Sequence, residues 1–408
     1  MHILFLTDNF PPEGNAPATR TYEHAREWVK NGHKVTIITG VPNFPEGKVF
    51  EGYQNEWYQK ENIDGIEVRR VKTYITANEG FVKRTLDFLS FMVTSFFAGL
   101  FVKKPDVIVG TSPQFFTACS AWALSAIRRK PFVFELRDIW PASITAVGAM
   151  DKTIVIRLLE KLEMFLYRRA TRIISVTHSF KDELVRRGID ISKIDVVLNG
   201  VDLSLYSPVS AKDAELSREF NLENKFVVGY VGTHGLAHAL DKVLDAAESL
   251  MEHSEIHFIF AGGGAAKESL DNEIKVRGLT NVVSIPRQSK HMMPRLWSLC
   301  DISLISLKDT PLFKTVIPSK IFESMGMGIP IIITAPVGEA TEIIERAGAG
   351  VIVRPETPEE LTNVVFDLYE NKQTLRSYSI ASAKASQEFS REYSAVKMEG
   401  VLNKLIKE

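Results

Sequence analysis

The chain has 408 residues, is 45% hydrophobic and 24% charged, and carries a formal net charge of −1. It is too long for one ordinary core and suits two domains of about 200 residues each. With so little net charge there is no global field to attract nucleic acid, and no low-complexity run suggests disorder.

The charge is uneven along the chain. Residues 1–205 hold 27 basic and 23 acidic side chains, and the remainder 22 and 27. A basic half beside an acidic half predicts that one half meets an anionic surface. The two cysteines, Cys119 and Cys300, sit in apolar helix-like stretches. They predict buried thiols in a reducing compartment, with no disulfide framework. The opening MHILFLTDNFPPEG has neither a basic n-region nor a small-residue cleavage site. It reads as a buried strand, not a signal peptide.

In chain order, HILFLTD, KVTIITG, IEVRRV, DVIVGTS, FVFELRD, RIISVT and IDVVLNG read as strands, with amphipathic segments such as 17–31 between most of them. Many are apolar on successive positions, as a sheet covered on both faces requires. The alternation predicts a parallel α/β sheet. Segment 81–104, FVKRTLDFLSFMVTSFFAGLFVKK, has an apolar centre flanked by Lys83, Arg84, Lys103 and Lys104. At about 17 residues that centre is marginal for spanning a bilayer. A helix lying at a membrane interface fits better, and 152–172 is similarly basic and amphipathic. Both also fit core helices with solvated basic ends.

The pattern restarts after the polar segment 207–225, with the boundary placed near Pro208. KFVVGYVG, IHFIFAGGG, NVVSIP, DISLISL, IPIIIT and GVIVRP read as strands, and the chain ends in a helical segment. Two open parallel sheets in tandem predict a cleft between the carboxyl ends of their strands, where ligands bind.

The strand-to-helix loops therefore hold the candidate residues. In TDNFPPEGNAPATR, Gly14 and Asn15 tolerate unusual backbone angles and precede a helix start suited to an anion; an ordinary turn fits equally. The G-x-G-x-x-G and Walker A patterns are absent. In GYVGTHGLAHALDK, Gly232, Thr233 and His234 form a small loop whose amides suit a diphosphate. AGGGAAK reads as either close backbone approach to a ligand or a tight turn. No His, Cys, Asp and Glu group has metal-ligand spacing.

In KTVIPSKIFESMGMGIPIIIT, Pro318 and Ser319 read as a helix start with Ser319 as N-cap. Lys320 and Glu323 share a helix face and are expected to point together away from the core. A lysine suits a phosphate, and a carboxylate suits the vicinal hydroxyls of a ribose. The bland alternative is an intrahelical ion pair.

PSKIFESMGMGIPIIIT, followed by GEATEIIERAGAGVIVRPETPEEL, resembles the donor-binding half of family-4 retaining glycosyltransferases of the GT-B fold. VTHSFKDELVRRGI with KIDVVLNGVDLSLYSP resembles the region leading to their interdomain linker, so the resemblance spans nearly the whole chain. FELRDIWP with PSKIFE is similar to a bacterial surface-polysaccharide branch that includes N-acetyl-L-fucosamine transferases of O-antigen assembly. The resemblance implies two Rossmann-like domains: 1–205 for the acceptor and 206–385 for the nucleotide sugar, with 386–408 packing back on the first. It implies that Glu323 holds the ribose. The family's second glutamate, which contacts the donor sugar region, is replaced by Thr315, and its basic pair by THGLAHALDK. Lys320 and Arg287 are then expected to supply the phosphate charge. Arg137 stands where many relatives carry a histidine beside the reacting sugar, and Asp138 follows; both are active-site candidates.

The reaction implied is transfer of an N-acetylated amino sugar from a nucleoside diphosphate, UDP by expectation, to a lipid-linked oligosaccharide, with retention. Lys320, Arg287 and helix-start amides would stabilise the departing diphosphate without a metal or other cofactor. The expected place is the cytoplasmic face of the inner membrane, as a peripheral protein. A nucleotide-sugar 2-epimerase and a non-catalytic sugar-nucleotide-binding module are the alternatives on the same architecture.

Overall fold

The computed structural model describes residues 1–44, 46–76, 81–139 and 154–407. Trp140 and Pro141 of FELRDIWP, and Lys152 and Thr153 of the second amphipathic segment, lie outside the described residues. Two units result: Met1–Asn199 together with Arg391–Glu408, and Gly200–Ser390.

The first unit runs β1 (His2–Leu6), α1 (Ala16–Lys30), β2 (Lys34–Thr39), β3 (Tyr58–Ile63), β4 (Ile66–Val71), α2 (Phe81–Leu100), β5 (Val107–Thr111), α3 (Phe115–Arg128), β6 (Phe132–Leu136), α4 (Ile154–Arg169), β7 (Arg172–Ser175), α5 (His178–Arg186) and β8 (Ile194–Val196). Its sheet has the order β3-β4-β2-β1-β5-β6-β7-β8. Every pairing is parallel except β3 with β4. β1, β5 and β6 are buried at every position, which is why their sequences do not alternate. Leu4, Leu6 and Phe134 pack under Phe91 of α2, Ala121 of α3 and Leu166 of α4. Ile3, Phe5 and Val109 face Trp28 of α1 and Met398 and Leu402 of the C-terminal helix Arg391–Lys407.

β3 is not foreseen in the sequence. YQKENI carries one large apolar residue after its tyrosine and alternates exposed with half-buried positions. A charged, short edge strand is a common way to keep a sheet from pairing further. The Asp64–Gly65 turn, both residues at positive φ, joins it to β4, and Asn62 Oδ1 accepts from the Gly65 amide at 3.0 Å. That is the chemistry a two-residue hairpin requires.

The second unit runs α6 (Ala214–Glu219), β9 (Phe226–Val231), α7 (Leu240–Ser249), β10 (Ile256–Ala261), α8 (Lys267–Arg277), β11 (Val282–Ile285), α9 (Met293–Trp297), β12 (Ile302–Ser306), α10 (Lys320–Gly326), β13 (Ile331–Thr334), α11 (Glu339–Ala347), β14 (Gly350–Val353), α12 (Pro358–Glu370) and α13 (Lys372–Ala385). Its six strands are all parallel, in the order β11-β10-β9-β12-β13-β14. Phe258, Phe260, Leu244 and Val365 lie in its core.

The chain crosses between units at 199–200 and 390–391, not at 205–206 and 385–386. Val201 pairs with Ser390 as a parallel bridge, and its amide donates to the Phe389 carbonyl at 2.8 Å. The two crossings thus run side by side, and both flanking stretches belong to the second unit. Among the described residues, no helix is long and apolar enough to cross a membrane.

Candidate active site

In the second unit the strand order reverses between β9 and β12, and ligands of open α/β sheets bind outside the carboxyl ends at such a point. The loop after β9 holds Gly232, Thr233 and His234. The Gly232 amide donates to the Ala261 carbonyl at 2.8 Å, that of His234 to Gly263 at 2.9 Å, and that of Ala266 to His234 at 2.9 Å. This loop is thus laced to the glycine run after β10. A Cβ on Gly262, whose φ is +150°, would stand 1.8 Å from the Gly232 carbonyl oxygen. Close approach of two backbones explains AGGG, and neither a ligand nor a simple tight turn is needed to account for it. Tyr230, at the end of β9, donates its hydroxyl to the Thr233 carbonyl at 2.7 Å.

Lys320 opens α10 and departs from the sequence expectation. Its side chain points inward, 8% exposed, with Nζ 3.6 Å from the centre of the Tyr230 ring and no hydrogen-bond partner. Burial lowers its pKa to about 7, with the Glu323 charge opposing the fall. The i, i+3 spacing does put Lys320 and Glu323 on one side of the helix. That side, however, abuts the end of β9, and Ile321, Phe322, Ser324 and Met325 are fully buried around the rest. Glu323 is the least buried residue of the helix core; its Oε2 accepts from the indole N–H of buried Trp297 at 3.3 Å. Ser319 sits at the N-cap position but its backbone is already helical and its hydroxyl makes no cap bond. The Phe322 amide donates instead to the Ser319 carbonyl at 3.1 Å. Pro318 is half-buried just before it.

Two histidines flank the lysine. His234 is fully buried between Tyr230 and Phe260, with neither ring nitrogen hydrogen-bonded. His238 bonds the Ser306 carbonyl through Nδ1 at 3.0 Å. That contact requires Nδ1–H and leaves Nε2 as an acceptor. Both pKa values are lowered to about 4, chiefly by burial, and the charges of Lys267 on His234 and of Lys320 on both add to it. Both imidazoles are neutral at pH 7, whereas Lys320, with its pKa lowered only to about 7, still carries part of its positive charge there. A Cβ on Gly232 would come within 3.4 Å of Lys320 Nζ, which places the ammonium directly behind the glycine loop. Arg287 is exposed after β11, beside Gly263. The Thr315 hydroxyl donates to the Leu312 carbonyl at 2.8 Å, so its proton is committed within its own turn.

The remaining candidates belong to the first unit, where the order reverses between β1 and β5. Asn15 caps α1, accepting from the Ala18 amide at 3.0 Å, with an ordinary extended backbone. Gly14 is exposed and does not have positive φ, so neither residue uses the unusual angles it could adopt. The Arg137 guanidinium donates to the carbonyls of Pro17 and Ala16 at 3.3 and 3.1 Å. The amides of Arg137 and Asp138 both donate to the Ser112 hydroxyl, at 2.8 and 3.2 Å. Arg137 thus holds the first residues of α1, next to the Asn15 cap, and shares the Ser112 hydroxyl with the Asp138 amide. Burial lowers the Arg137 pKa to about 10, against the opposing Glu135 and with the help of Arg20 and Arg391.

Several site features escape sequence reasoning. Arg20 and Glu135 form a fully buried ion pair at 2.9 Å, and Arg20 also donates to the Val197 carbonyl at 3.1 Å. These partners lie 115 and 177 positions apart. Asp8, Glu13 and Asp87 gather past the end of β1. Burial pushes all three pKa values up, Asp87 to about 7, and the neighbouring carboxylates add to this at Asp8 and Asp87. Glu13 is stabilised by the Asn43 and Phe44 amides, each at 2.9 Å. Tyr230 carried a usable signal, since an aromatic two residues before a glycine loop is placed to line it.

Two family models match the chain: "Glycosyltransferase Family 4" over residues 17–205 and "Glycosyl transferases group 1" over 212–385. The chain belongs to the family-4 glycosyltransferases. It is a glycosyltransferase with two Rossmann-like parallel-sheet domains of the GT-B type. A protein of Escherichia coli (strain K12) described as a colanic acid biosynthesis glycosyl transferase, WcaI, is 27% identical over 370 residues, covering 88% of this chain and 90% of that one. TuaH of Bacillus subtilis (strain 168), described as a teichuronic acid biosynthesis glycosyltransferase, is 23% identical over 49% of each. Among solved structures, sucrose-phosphate synthase from Thermosynechococcus elongatus superposes with a TM-score of 0.78 at 14% identity, over 100% of this chain and 99% of that one. Anabaena HepE in complex with UDP and glucose gives 0.71 at 19%, over 98% and 99%.

Proposed function

We propose that the protein transfers a sugar from a nucleoside diphosphate, with UDP as the carrier, to a lipid-linked oligosaccharide during assembly of a bacterial surface polysaccharide. The observation that carries this reading is Lys320. A buried ammonium without a hydrogen-bond partner is costly, and stacking on Tyr230 offsets only part of that cost. An anion arriving at the Gly232 loop would supply the missing partner. Glu323, partly open beside it, would accept from the ribose hydroxyls. The relatives described as acting in colanic and teichuronic acid biosynthesis, and the neighbour holding UDP, support the substrate class.

The chemistry follows from charge. As the anomeric carbon–oxygen bond breaks, negative charge grows on the departing diphosphate, and a cation held in a low-dielectric site stabilises it more than water would. Lys320 and the exposed Arg287 fill that role, and no metal is required. Thr315, with its hydroxyl committed to Leu312, offers the sugar no carboxylate. This suits a donor other than a fully hydroxylated hexose, such as an N-acetylated amino sugar of the N-acetyl-L-fucosamine type. Arg137 and Asp138 belong to the acceptor side. The protein then works peripherally at the cytoplasmic face of the inner membrane.

The test has two steps. Nucleotide sugars are first screened for the one that most raises the melting temperature, since a ligand of the folded state stabilises it. That donor, radiolabelled in the sugar, is then incubated with purified protein and a membrane lipid extract. Label entering the organic phase is expected. Isomerised donor without transfer would mean an epimerase, and binding without either would mean a non-catalytic module.

A further inference from the structure

The helices α2, α3 and α4 cover one face of the first unit's sheet, with Phe91, Ala121 and Leu166 in a common core. Trp122 of α3 packs edge-on against Phe165 of α4, ring centres 4.9 Å apart. The Arg128 guanidinium ties the end of α3 to the Gly99 and Leu100 carbonyls at the end of α2. Three helices therefore share one outer surface, and exposed apolar side chains line part of it. Leu86, Val93, Phe97 and Phe101 follow one helical stripe, 48–76% exposed. Ile127, next to the Arg128 that holds the end of α2, continues it at 61%. Phe97 and Phe101 are the only exposed phenylalanines among the described residues.

The charge on these segments is one-sided. Residues 81–104, 115–130 and 154–169 carry eleven lysines and arginines against three acids, in a chain whose net charge is −1. One of the three acids, Glu163, is buried and paired with Arg187 at 2.5 Å. Lys103, Lys104 and Arg129 are exposed around Phe101 and Ile127.

We infer that this three-helix face docks the protein flat onto an anionic lipid bilayer, with Phe97, Phe101 and Ile127 entering the interface and the surrounding lysines and arginines at headgroup level. A second copy of the same face fits poorly, because two surfaces with this surplus repel one another. A nucleic acid would engage the cations but leave the aliphatic stripe without a partner. A bilayer takes both: apolar side chains enter the acyl boundary, and basic ones meet anionic headgroups. The inner half of α2 stays in the core, with Phe91 and Ser95 fully buried, so the helix lies on the membrane and does not cross it. The inference accords with a lipid-linked acceptor but does not need the donor-site reading.

Sedimentation of the full-length protein with phosphatidylcholine vesicles, alone or mixed with phosphatidylglycerol, tests it. Binding is expected only to the anionic vesicles, and it should weaken at high salt. The pair Phe97→Ser with Phe101→Ser, and the triple Lys103→Glu, Lys104→Glu and Arg129→Glu, should each weaken binding about tenfold or more. Both sets are exposed, and an unchanged melting temperature verifies that each variant is folded, which separates loss of docking from loss of the fold. Absence of binding to anionic vesicles, or variants that bind as the parent does, would overturn the inference. So would a dimer in sedimentation velocity that the phenylalanine pair abolishes, which would assign the face to a second copy.

Discussion

The Lys320 ammonium lies over the face of Tyr230, 3.6 Å from the ring centre, while the hydroxyl of that same ring holds the Thr233 carbonyl at 2.7 Å. One aromatic residue thus fixes both the cation and the loop in front of it. Lys320 snorkels in reverse: its stem and its charge are both covered, where a surface lysine would keep its head in water. Such an arrangement is poor for stability and suited to receiving an anion, which is the pattern expected of a binding site built at a cost to the fold.

Glu323 separates a ribose contact from an ordinary helix acid. Glu323→Gln keeps an oxygen to accept from Trp297 and should leave the melting temperature nearly unchanged. Affinity for the nucleotide sugar should fall by about 1–3 kcal/mol, the cost of removing a charged acceptor from paired hydroxyls. Calorimetric titration reads it directly; equal affinity in the folded variant would remove Glu323 from the site.

Gly262 tests the loop lacing. An added Cβ would meet backbone at 1.8 Å, at a φ of +150°. Gly262→Ala should therefore cost about 3 kcal/mol or more, as strain at a special backbone position does. Gly278→Ala, with φ +64° but nothing within 4 Å, should cost only about 1 kcal/mol. Chemical denaturation of the two variants gives the comparison, and nearly equal losses would refute the close-approach explanation.

Asp87 gives a pH signature in the first unit. Its folded pKa is raised to about 7, chiefly by burial, with Glu13 adding and Arg84 opposing. A raised acid binds more protons folded than unfolded, so its contribution is fully present below about pH 4 and lost as the pH climbs through 7. Asp87→Asn should then raise the melting temperature at pH 8 and change it little at pH 4. Melting curves at the two values check this; equal shifts at both would place the carboxylate in water.

The strands were legible because both sheets are covered on two faces, and runs such as FVVGYV and IHFIFA are buried almost throughout. β3 was not, because YQKENI sits on an open edge and carries no apolar pattern to read. Pairing of Lys320 with Glu323 on one helix side was legible from their spacing. What that side meets was not, because spacing fixes which residues are neighbours and says nothing about the packing partner. Ser319 failed as an N-cap because its helix starts with a tight turn closed by backbone bonds. The Arg20–Glu135 pair joins α1 to β6, a contact made by tertiary folding alone.

The central claim is that Lys320 awaits a diphosphate, and its protonation tests that most directly. With its pKa lowered to about 7 by burial, the lysine is largely neutral at pH 9 and must regain a proton to hold an anion. Binding of UDP-N-acetylglucosamine, whose diphosphate does not titrate near neutrality, is measured by calorimetry at pH 6 and pH 9 in buffers of different ionisation heat. Affinity should fall as the pH rises through 7, by up to about tenfold per unit, with a proton taken up on binding at pH 9. Lys320→Met should bind weakly at both values and take up none. Affinity that is flat with pH in the wild type, or a Met variant that binds as tightly, would contradict the account.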